Sequence, residues 1–238
     1  MAAQAAQAAQ RAGQVSNVVP QVRIVRGTQQ ITGAPNYPVD WGDLINTQRS
    51  GRARISLDDG SIINVGSESS LKITQYIPGN QQTQMDLVYG QLRSKVAKIT
   101  QPSGKFEIHT PVGVAGVIGT DFYILFQDGM MQLIVFEGSV RFCNLAGVCV
   151  IVSGGLMSTI RGNNQPPDTP MPVTPSMLAQ AGGDTEAVAS GVVAQTTGLS
   201  ALTTVGLLTL IVIPAVVIPL AVAHRGGTGA PPAPCVCQ

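Results

Sequence analysis

Two parts of the chain carry the period-two pattern of β-strands that place one face on a core. From Arg52 to Asp58 polar side chains alternate with apolar ones, and the same alternation runs from Phe106 to Thr110. Asp59-Gly60 follows the first of these segments and favours a tight hairpin turn in which both residues have a positive φ. We therefore predict a strand and turn at the first position and a further strand at the second.

The residues around Asp128-Gly129 predict a second hairpin in more detail. Asp121–Gln127 and Met130–Phe136 are nearly all apolar, and the Asp-Gly pair between them favours a two-residue turn. Because the apolar residues occupy both faces of each strand, we expect both faces to be covered. The register that this turn imposes pairs Phe126 with Met131, Ile124 with Leu133 and Phe122 with Val135.

Strand signals dominate from Val15 to Arg161, and helix signals are nearly absent before residue 176. Five prolines between Gln165 and Pro175 indicate an extended linker after this all-β body. The small and polar residues 176–198 predict one or two short helices, with Ser176 and Asp184 as N-caps.

An uncharged apolar stretch of 25 residues runs from Leu199 to Ala223. As a helix it would extend about 37 Å, more than the ~30 Å hydrocarbon core of a bilayer, so we predict a membrane-spanning helix. The alternative is an apolar helix buried against protein. Arg225 follows the stretch, which would leave the tail in the cytoplasm and the body outside. Residues that mark the helix are Leu199, Leu207, Ile213, Pro214 and Pro219.

The chain carries few charges. Lys and Arg number 14 and Asp and Glu 13, together 11% of the residues against about 25% in an average protein. Such a chain has no basic field for a phosphate backbone, so we exclude a nucleic-acid-binding function. The low charge instead favours contact with a membrane, with a protein partner or with copies of the same chain.

The four cysteines form two pairs with different properties. A three-residue loop with Gly147 in the left-handed conformation would place Cys143 opposite Cys149 on adjacent strands. We therefore predict a disulfide and an oxidising compartment; the alternative is two reduced thiols in a cytosolic hairpin. Cys235 and Cys237 are too close for an easy mutual bridge and lack further zinc ligands. We interpret them as reduced thiols or as links between neighbouring chains.

The sequence contains no constellation of residues typical of catalysis. His109 and His224 lie 115 positions apart, and no P-loop, H-E-x-x-H or G-x-S-x-G motif occurs. Gly113, Gly116 and Gly119 have the spacing GxxGxxG, which differs from the GxGxxG of dinucleotide sites. We predict a protein that is not an enzyme and has no catalytic, cofactor or metal site.

The segment Thr110–Phe122, TPVGVAGVIGTDF, resembles the central signature of FecR-type domains, an apolar run that ends in Gly-Thr-x-Phe after Thr-Pro. The motifs at 53–66, 87–92 and 135–140 occur in the order of that family. Ile118 departs from the pattern, because the family usually has Arg at this position. We expect the signature to shape a turn and a strand rather than to contact a ligand. Its defining residues are Thr110, Pro111, Gly119, Thr120 and Phe122.

The resemblance covers roughly residues 20–162 and implies a twisted β-solenoid-like or sandwich-like domain outside the cytoplasm. In signalling members of the family, this domain relays receptor occupancy to a sigma factor. Those members place a cytoplasmic segment and a membrane helix before the domain, whereas here the apolar stretch follows it. The 13 residues after Arg225 are too few for a sigma-binding domain. We therefore carry over the fold and the location rather than the anti-sigma activity.

These patterns predict an exported, membrane-anchored protein of the cell envelope. The N-terminus lacks the basic and apolar regions of an intact signal peptide, and its small residues are typical of a chain from which one was removed. We expect the β domain to be periplasmic or extracellular and to bind a partner or ligand. The alternative is a structural subunit that assembles through β edges and the C-terminal helix into a ring, tube or filament. The expected organisation is an Ala/Gln-rich segment at 1–19, the FecR-like β domain at 20–162, a Pro-rich linker with short helices at 163–198, the hydrophobic helix at 199–223 and a tail at 224–238.

Overall fold

The computed structural model describes residues 10–187 of the 238-residue chain. These residues form strands, one short 3₁₀ turn and one α-helix, which confirms the predicted all-β class. The elements are β1 Arg11–Val19, β2 Val22–Arg26, β3 Gln29–Thr32, β4 Pro38–Asp40, β5 Leu44–Thr47, β6 Arg52–Leu57, β7 Ile62–Val65, β8 Ser69–Ile77, the 3₁₀ turn Pro78–Asn80, β9 Gln82–Lys95, β10 Lys105–Thr110, β11 Gly113–Val117, β12 Asp121–Gln127, β13 Met130–Glu137, β14 Ser139–Asn144, β15 Cys149–Ser153, β16 Leu156–Arg161, β17 Met171–Pro172 and α1 Pro175–Thr185.

The strands pair in two sheets that share β9. Sheet 1 has the order β4-β1-β6-β7-β9-β12-β13-β16-β17. Sheet 2 has the order β3-β2-β5-β8-β9-β10-β11-β14-β15. The pairing of β9 with β10 is parallel, and the other pairings of the described strands are antiparallel. The outer strands are therefore β4 and β17 in sheet 1, and β3 and β15 in sheet 2.

Gly90 lies where β9 passes from sheet 2 into sheet 1. Residues 82–89 pair with β8, whereas residues 90–95 pair with β12. Gly90 has a φ of +93°, and a Cβ at this position would collide with Ser69, so both the conformation and the space require glycine. Gly138, with a φ of +86°, separates β13 from β14, where the chain returns to sheet 2.

One hydrophobic core combines the inner faces of both sheets. Its members alternate along each strand with more exposed residues, because successive side chains point to opposite faces. The predicted alternation in β6 and β10 is therefore confirmed. Large buried members are Ile55, Phe122 and Ile124 from sheet 1, and Ile24, Phe106 and Phe142 from sheet 2.

Helix α1 covers part of the outer face of sheet 1. Its Ala181 belongs to a second apolar cluster with Tyr123 of β12, Ile134 of β13 and Met157 of β16. This cluster explains why β12 and β13 are apolar on both faces, and it confirms the prediction that both faces are covered. Burial within it raises the pKa of Tyr123.

The helix begins at Pro175, and its N-cap is Thr174. The Met177 N–H donates a hydrogen bond to Thr174 Oγ1 at 3.4 Å. The prediction of Ser176 as N-cap is wrong, because Pro175 has the fixed φ and missing N–H that suit the first helical position. Asp184 was predicted to cap a helix but lies near the end of this one.

The two predicted hairpin turns differ in outcome. The β12–β13 turn has the predicted register, with positive φ at Asp128 and Gly129. After β6, however, the loop spans three residues and Leu57 N donates to Ser61 O at 2.9 Å. The expected pair of positive-φ residues at Asp59-Gly60 is wrong, since only Gly60 has one. The Ser61 N–H donates to Asp59 Oδ1 at 2.8 Å, which closes the longer loop.

Regular structure extends beyond the predicted limits of the β domain. β1 begins at Arg11, before residue 20, and pairs along β6. β17 and α1 lie after residue 162, in the predicted linker. The predicted helix at 199–223 and the tail cysteines lie outside the described residues. Between residues 10 and 187, no helix has the length and hydropathy needed to cross a membrane.

Candidate interaction surface

Thr110 and Pro111 of the predicted signature form the turn from β10 to β11. Pro111 and Val112 are the two residues between the paired Thr110 and Gly113. Thr110 Oγ1 accepts a hydrogen bond from Gly113 N at 3.2 Å and contacts Met131 Sδ at 3.2 Å. These contacts are internal, so this part of the signature shapes the turn.

The second part of the signature packs against other parts of the domain. Gly119 has a φ of +71°, and a Cβ there would lie 3.1 Å from Lys98 Cα. Thr120 Oγ1 donates a hydrogen bond to Ser139 O at 3.0 Å, and Phe122 is fully buried in the main core. Gly119, Thr120 and Phe122 therefore support the fold, whereas Ile118 of the same segment is exposed.

A groove of about 380 Å³ crosses the outer face of sheet 2 beside Ile118. Gly116 lies in register between Glu107 and Arg141 and has no side chain to fill this space. A Cβ at Gly116 would meet no atom closer than 4.0 Å. Ile118 is 68% exposed at the groove. FecR-type domains usually have Arg at this position, whereas here the side chain is apolar.

The groove is lined by one acidic side chain, Glu107, and by two basic ones, Lys105 and Arg141. The Glu107 carboxylate forms a hydrogen bond with His109 Nε2 at 3.0 Å and lies 3.3 Å from Lys105 Nζ. Burial alone would raise the pKa of Glu107, but these two partners outweigh it and lower the pKa below the ordinary 4.5. Across the part of the chain that the structure describes, no three His, Cys, Asp or Glu side chains are grouped to hold a metal ion.

The hairpin of β14 and β15 forms one edge of sheet 2. Cys143 and Cys149 are directly opposed, with Cα atoms 4.0 Å apart, and the structure joins them in a disulfide. Gly147 has a φ of +83° in the loop between them. Asn144 N donates to Val148 O at 3.0 Å, so the next pair, formed by the cysteines, is a non-hydrogen-bonded pair of the ladder.

The strand β15 has an unpaired backbone edge. Among the described strands, it pairs with β14 alone. Alternate residues of an antiparallel strand direct their N–H and C=O groups toward the partner strand, so those of Cys149, Ile151 and Ser153 point away from β14. These groups are free to pair with another strand.

Exposed apolar side chains accompany this edge, which we call the β15 edge (residues 145–153). Leu145, Val148 and Ile151 are each at least half exposed. The strand reads CVIVS and contains neither a charge nor a proline, the devices that prevent edge pairing. By contrast, β4 and β17 contain Pro38 and Pro172, and β3 is mostly polar. The β15 edge is therefore the edge best suited to accept a strand.

Sequence patterns identified the cysteines but not the exposed apolar residues beside them. The sequence did contain a signal for this edge, namely an uncharged strand after the cysteine loop. That β15 lies at the edge of a sheet, however, depends on pairings between strands that are distant in the sequence. Other residues singled out in the sequence lie outside the described residues: the helix markers Leu199, Leu207, Ile213, Pro214 and Pro219, and the tail cysteines Cys235 and Cys237.

Comparison with known proteins finds a family that part of this domain resembles. Residues 43–141 match the family model described as FecR protein. Two crystal structures of a proposed anti-sigma factor from Parabacteroides distasonis are similar at 13% identity and a TM-score of 0.49, and each alignment covers 57% of this chain. The alignment spans 62% of that protein, less than two thirds of its length. No curated protein sequence matches significantly. The matched residues contain the signature at 110–122, so this part of the chain is similar to the FecR family.

Proposed function

We propose that this protein is a non-enzymatic signalling component that binds a protein partner through the β15 edge. The observation that carries the proposal is an uncharged strand that, within residues 10–187, is paired on one side only and has exposed Ile151 at its centre. A strand donated by the partner would satisfy the outward N–H and C=O groups and cover this side chain. The similarity of residues 43–141 to the FecR family supports a regulatory role.

Site-specific photo-crosslinking in native membranes tests this proposal. A photoreactive residue at Ile151 of the full chain is expected to give an adduct with a different protein. The matched control is the same residue at Thr32, which is exposed on β3 at the other edge of sheet 2. In a second measurement, Ile151→Lys is expected to lower the recovery of the partner. Equal adducts at both positions, or none at Ile151, would contradict the proposal.

We propose further that the β domain is exported and that Leu199–Ala223 anchors the chain in a membrane. The 25 uncharged residues and the Cys143–Cys149 disulfide support this location. Ile213→Arg would place a charge near the middle of the span at a cost of about 2.5–3.5 kcal/mol, so retention after an alkaline wash is expected to fall. Thr228→Arg in the tail is the control, and unchanged retention of Ile213→Arg would argue against the anchor.

Self-assembly is the second candidate function, and the chemistry of the same edge favours it. The outward groups of Cys149, Ile151 and Ser153 could pair in antiparallel fashion with those of a second copy, because no like charges would meet. In that case the adduct at Ile151 would join two copies. Ile151→Lys would shift the sedimentation of the chain from an assembly to a monomer, and electron microscopy would show rings, tubes or filaments of the parent alone.

A further inference from the structure

A polar cavity of about 400 Å³ opens on the outer face of sheet 1, beside the end of α1. It is separate from the β15 edge, which belongs to sheet 2. Its floor consists of residues from β1, β6, β7, β9 and β12, and residues 186–187 complete its lining. The volume is in the range of small-molecule sites in proteins.

Hydrogen-bond donors form a continuous row across this floor. Asn17 pairs with Arg54, Arg54 with Asn64, and Asn64 with Arg93 in the strand registers. Directly paired residues share a face and lie about 5 Å apart, so the two amides and two guanidinium groups are neighbours. Lys95 lies two residues beyond Arg93 on the same face of β9 and also lines the cavity.

One of these cations is already paired and held in place. Arg93 donates from Nε and Nη2 to the two carboxylate oxygens of Asp121, at 2.8 and 2.9 Å. Its guanidinium also lies 4.0 Å from the centre of the Phe136 ring. These hydrogen bonds to Asp121 raise the pKa of Arg93. Arg93 therefore forms a fixed, charge-balanced wall of the cavity.

The remaining two cations are not paired. Within residues 10–187, the side chains of Arg54 and Lys95 have no ion-pair partner. Both residues are exposed to solvent, and Asn64 lies between the strands that carry them. The floor thus presents two positive charges and an amide that could contact an anion.

The rim at the end of α1 has the opposite sign. Arg52 Nε donates to Asp184 O at 2.9 Å, and Asn17 Nδ2 donates to Ala187 O, so the segment after the helix is tied to sheet 1. Glu186 lies between these two contacts and lines the cavity. A carboxylate at the rim repels a second negative group on a ligand.

We propose that this cavity binds a small molecule through one anionic group, a phosphate or a carboxylate, which lies against Arg54 and Lys95. The Arg54 guanidinium can donate two parallel hydrogen bonds to either group, Lys95 adds a point charge, and the Asn64 amide can donate a further hydrogen bond. Glu186 excludes ligands with several negative charges, such as an oligonucleotide.

Titration calorimetry of the full chain in a non-ionic detergent, at fixed ionic strength, tests the site. The probes are phenyl phosphate, benzoate and uncharged benzamide, which share one ring and differ in the head group. Binding of either anion without binding of benzamide supports the proposal, and the tighter anion identifies the natural head group. No binding of either anion, or equal binding of benzamide, would overturn it.

Variants locate the bound anion. Arg54→Gln and Lys95→Gln are each expected to weaken binding by roughly tenfold, because each removes a charge-assisted hydrogen bond. Glu186→Gln is expected to tighten it. Arg23→Gln is the matched control, since Arg23 is an exposed arginine of β2 in sheet 2. If Arg23→Gln weakened binding as much as Arg54→Gln, the attraction would be nonspecific and the site would be wrong.

Discussion

Removal of the Arg26 guanidinium should destabilise the domain strongly, because it would leave the Asp43 carboxylate buried without a cation. The side chain of Asp43 is fully buried. It accepts hydrogen bonds from Arg26 Nε at 2.8 Å and Nη2 at 2.7 Å, and from Asp40 N at 2.8 Å. Arg26 Nη1 also lies 2.7 Å from Asp40 Oδ2, so this one side chain connects β2 to the end of β4 and to the loop before β5.

The size of the effect follows from burial. Two unit charges about 4 Å apart attract each other by about 4 kcal/mol at an effective dielectric constant of about 20. Removing one partner of a buried pair typically costs about 3–5 kcal/mol, because the remaining charge is not compensated. We expect Arg26→Gln to lower the free energy of unfolding by this amount. The hydrogen bond to Asp43 also raises the pKa of Arg26, as such a pair requires.

Urea unfolding of the full chain, followed by circular dichroism, measures this loss. Arg49→Gln is the matched control, since Arg49 Nε lies 3.8 Å from Glu68 Oε1 and both side chains are mostly exposed. An exposed pair contributes about 0–1 kcal/mol. The double variant Arg26→Met with Asp43→Asn should recover part of the loss, because it removes the fully buried charge and leaves only Asp40 without its cation. A cost for Arg26→Gln no larger than that of Arg49→Gln would refute the reasoning.

Three further predictions concern other features of the domain. Since the pKa of Glu107 is lowered in the folded protein, its stabilisation is fully present above the ordinary value of 4.5 and is lost as the pH falls through the folded value. Thermal melts of Glu107→Gln should therefore differ from those of the parent at pH 7 and converge with them in strong acid. Gly90→Ala should lower the free energy of unfolding, measured in urea, by about 2–4 kcal/mol, because it adds backbone strain and a collision with Ser69. Gly129→Ala is the control, since Gly129 has a positive φ but open space around it, and it should cost about 1–2 kcal/mol. Equal costs for the two variants would contradict the collision. Replacing Cys143 and Cys149 by Ser should cost about 2 kcal/mol for so short a loop, and dithiothreitol should bring the parent to the midpoint of the variant.

Local sequence signals predicted the parts of the fold that neighbouring residues determine. The register of β12 and β13 followed from Asp128-Gly129, because a two-residue turn fixes the pairing of the strands it joins. The predicted N-cap of α1 is wrong because both Thr174 and Ser176 are residue types that cap helices well. Pro175 between them suits the first helical position, which makes Thr174 the cap. The order of strands in the sheets could not be predicted, since β1 pairs with β6 and β9 with β12 across long stretches of chain.

The difference between local and long-range signals also applies to the cysteine pair, to the cavity on sheet 1 and to the β15 edge. The spacing of Cys143 and Cys149 was enough to predict that they would face each other, because one short loop separates them. The row that contains Arg54, Asn64 and Arg93 involves three strands, and nothing in the sequence near any one of them indicates the other two. The free edge of β15 likewise depends on which strands the rest of the chain places beside it.

The distribution of strands between the two sheets also determines which fragments of the protein can keep a closed core. The FecR match begins at residue 43, after β4, and ends at residue 141, inside β14. An expressed fragment with those limits would lose β1 to β4, β15 to β17 and α1, and it would cut β14 in half. Because β5, β6 and β13 would each lose the strand on one side, the fragment would present new unpaired edges and an open core. The interval shared with the family is therefore shorter than the set of strands that closes the core, and a fragment for expression should keep every strand from β1 to β17.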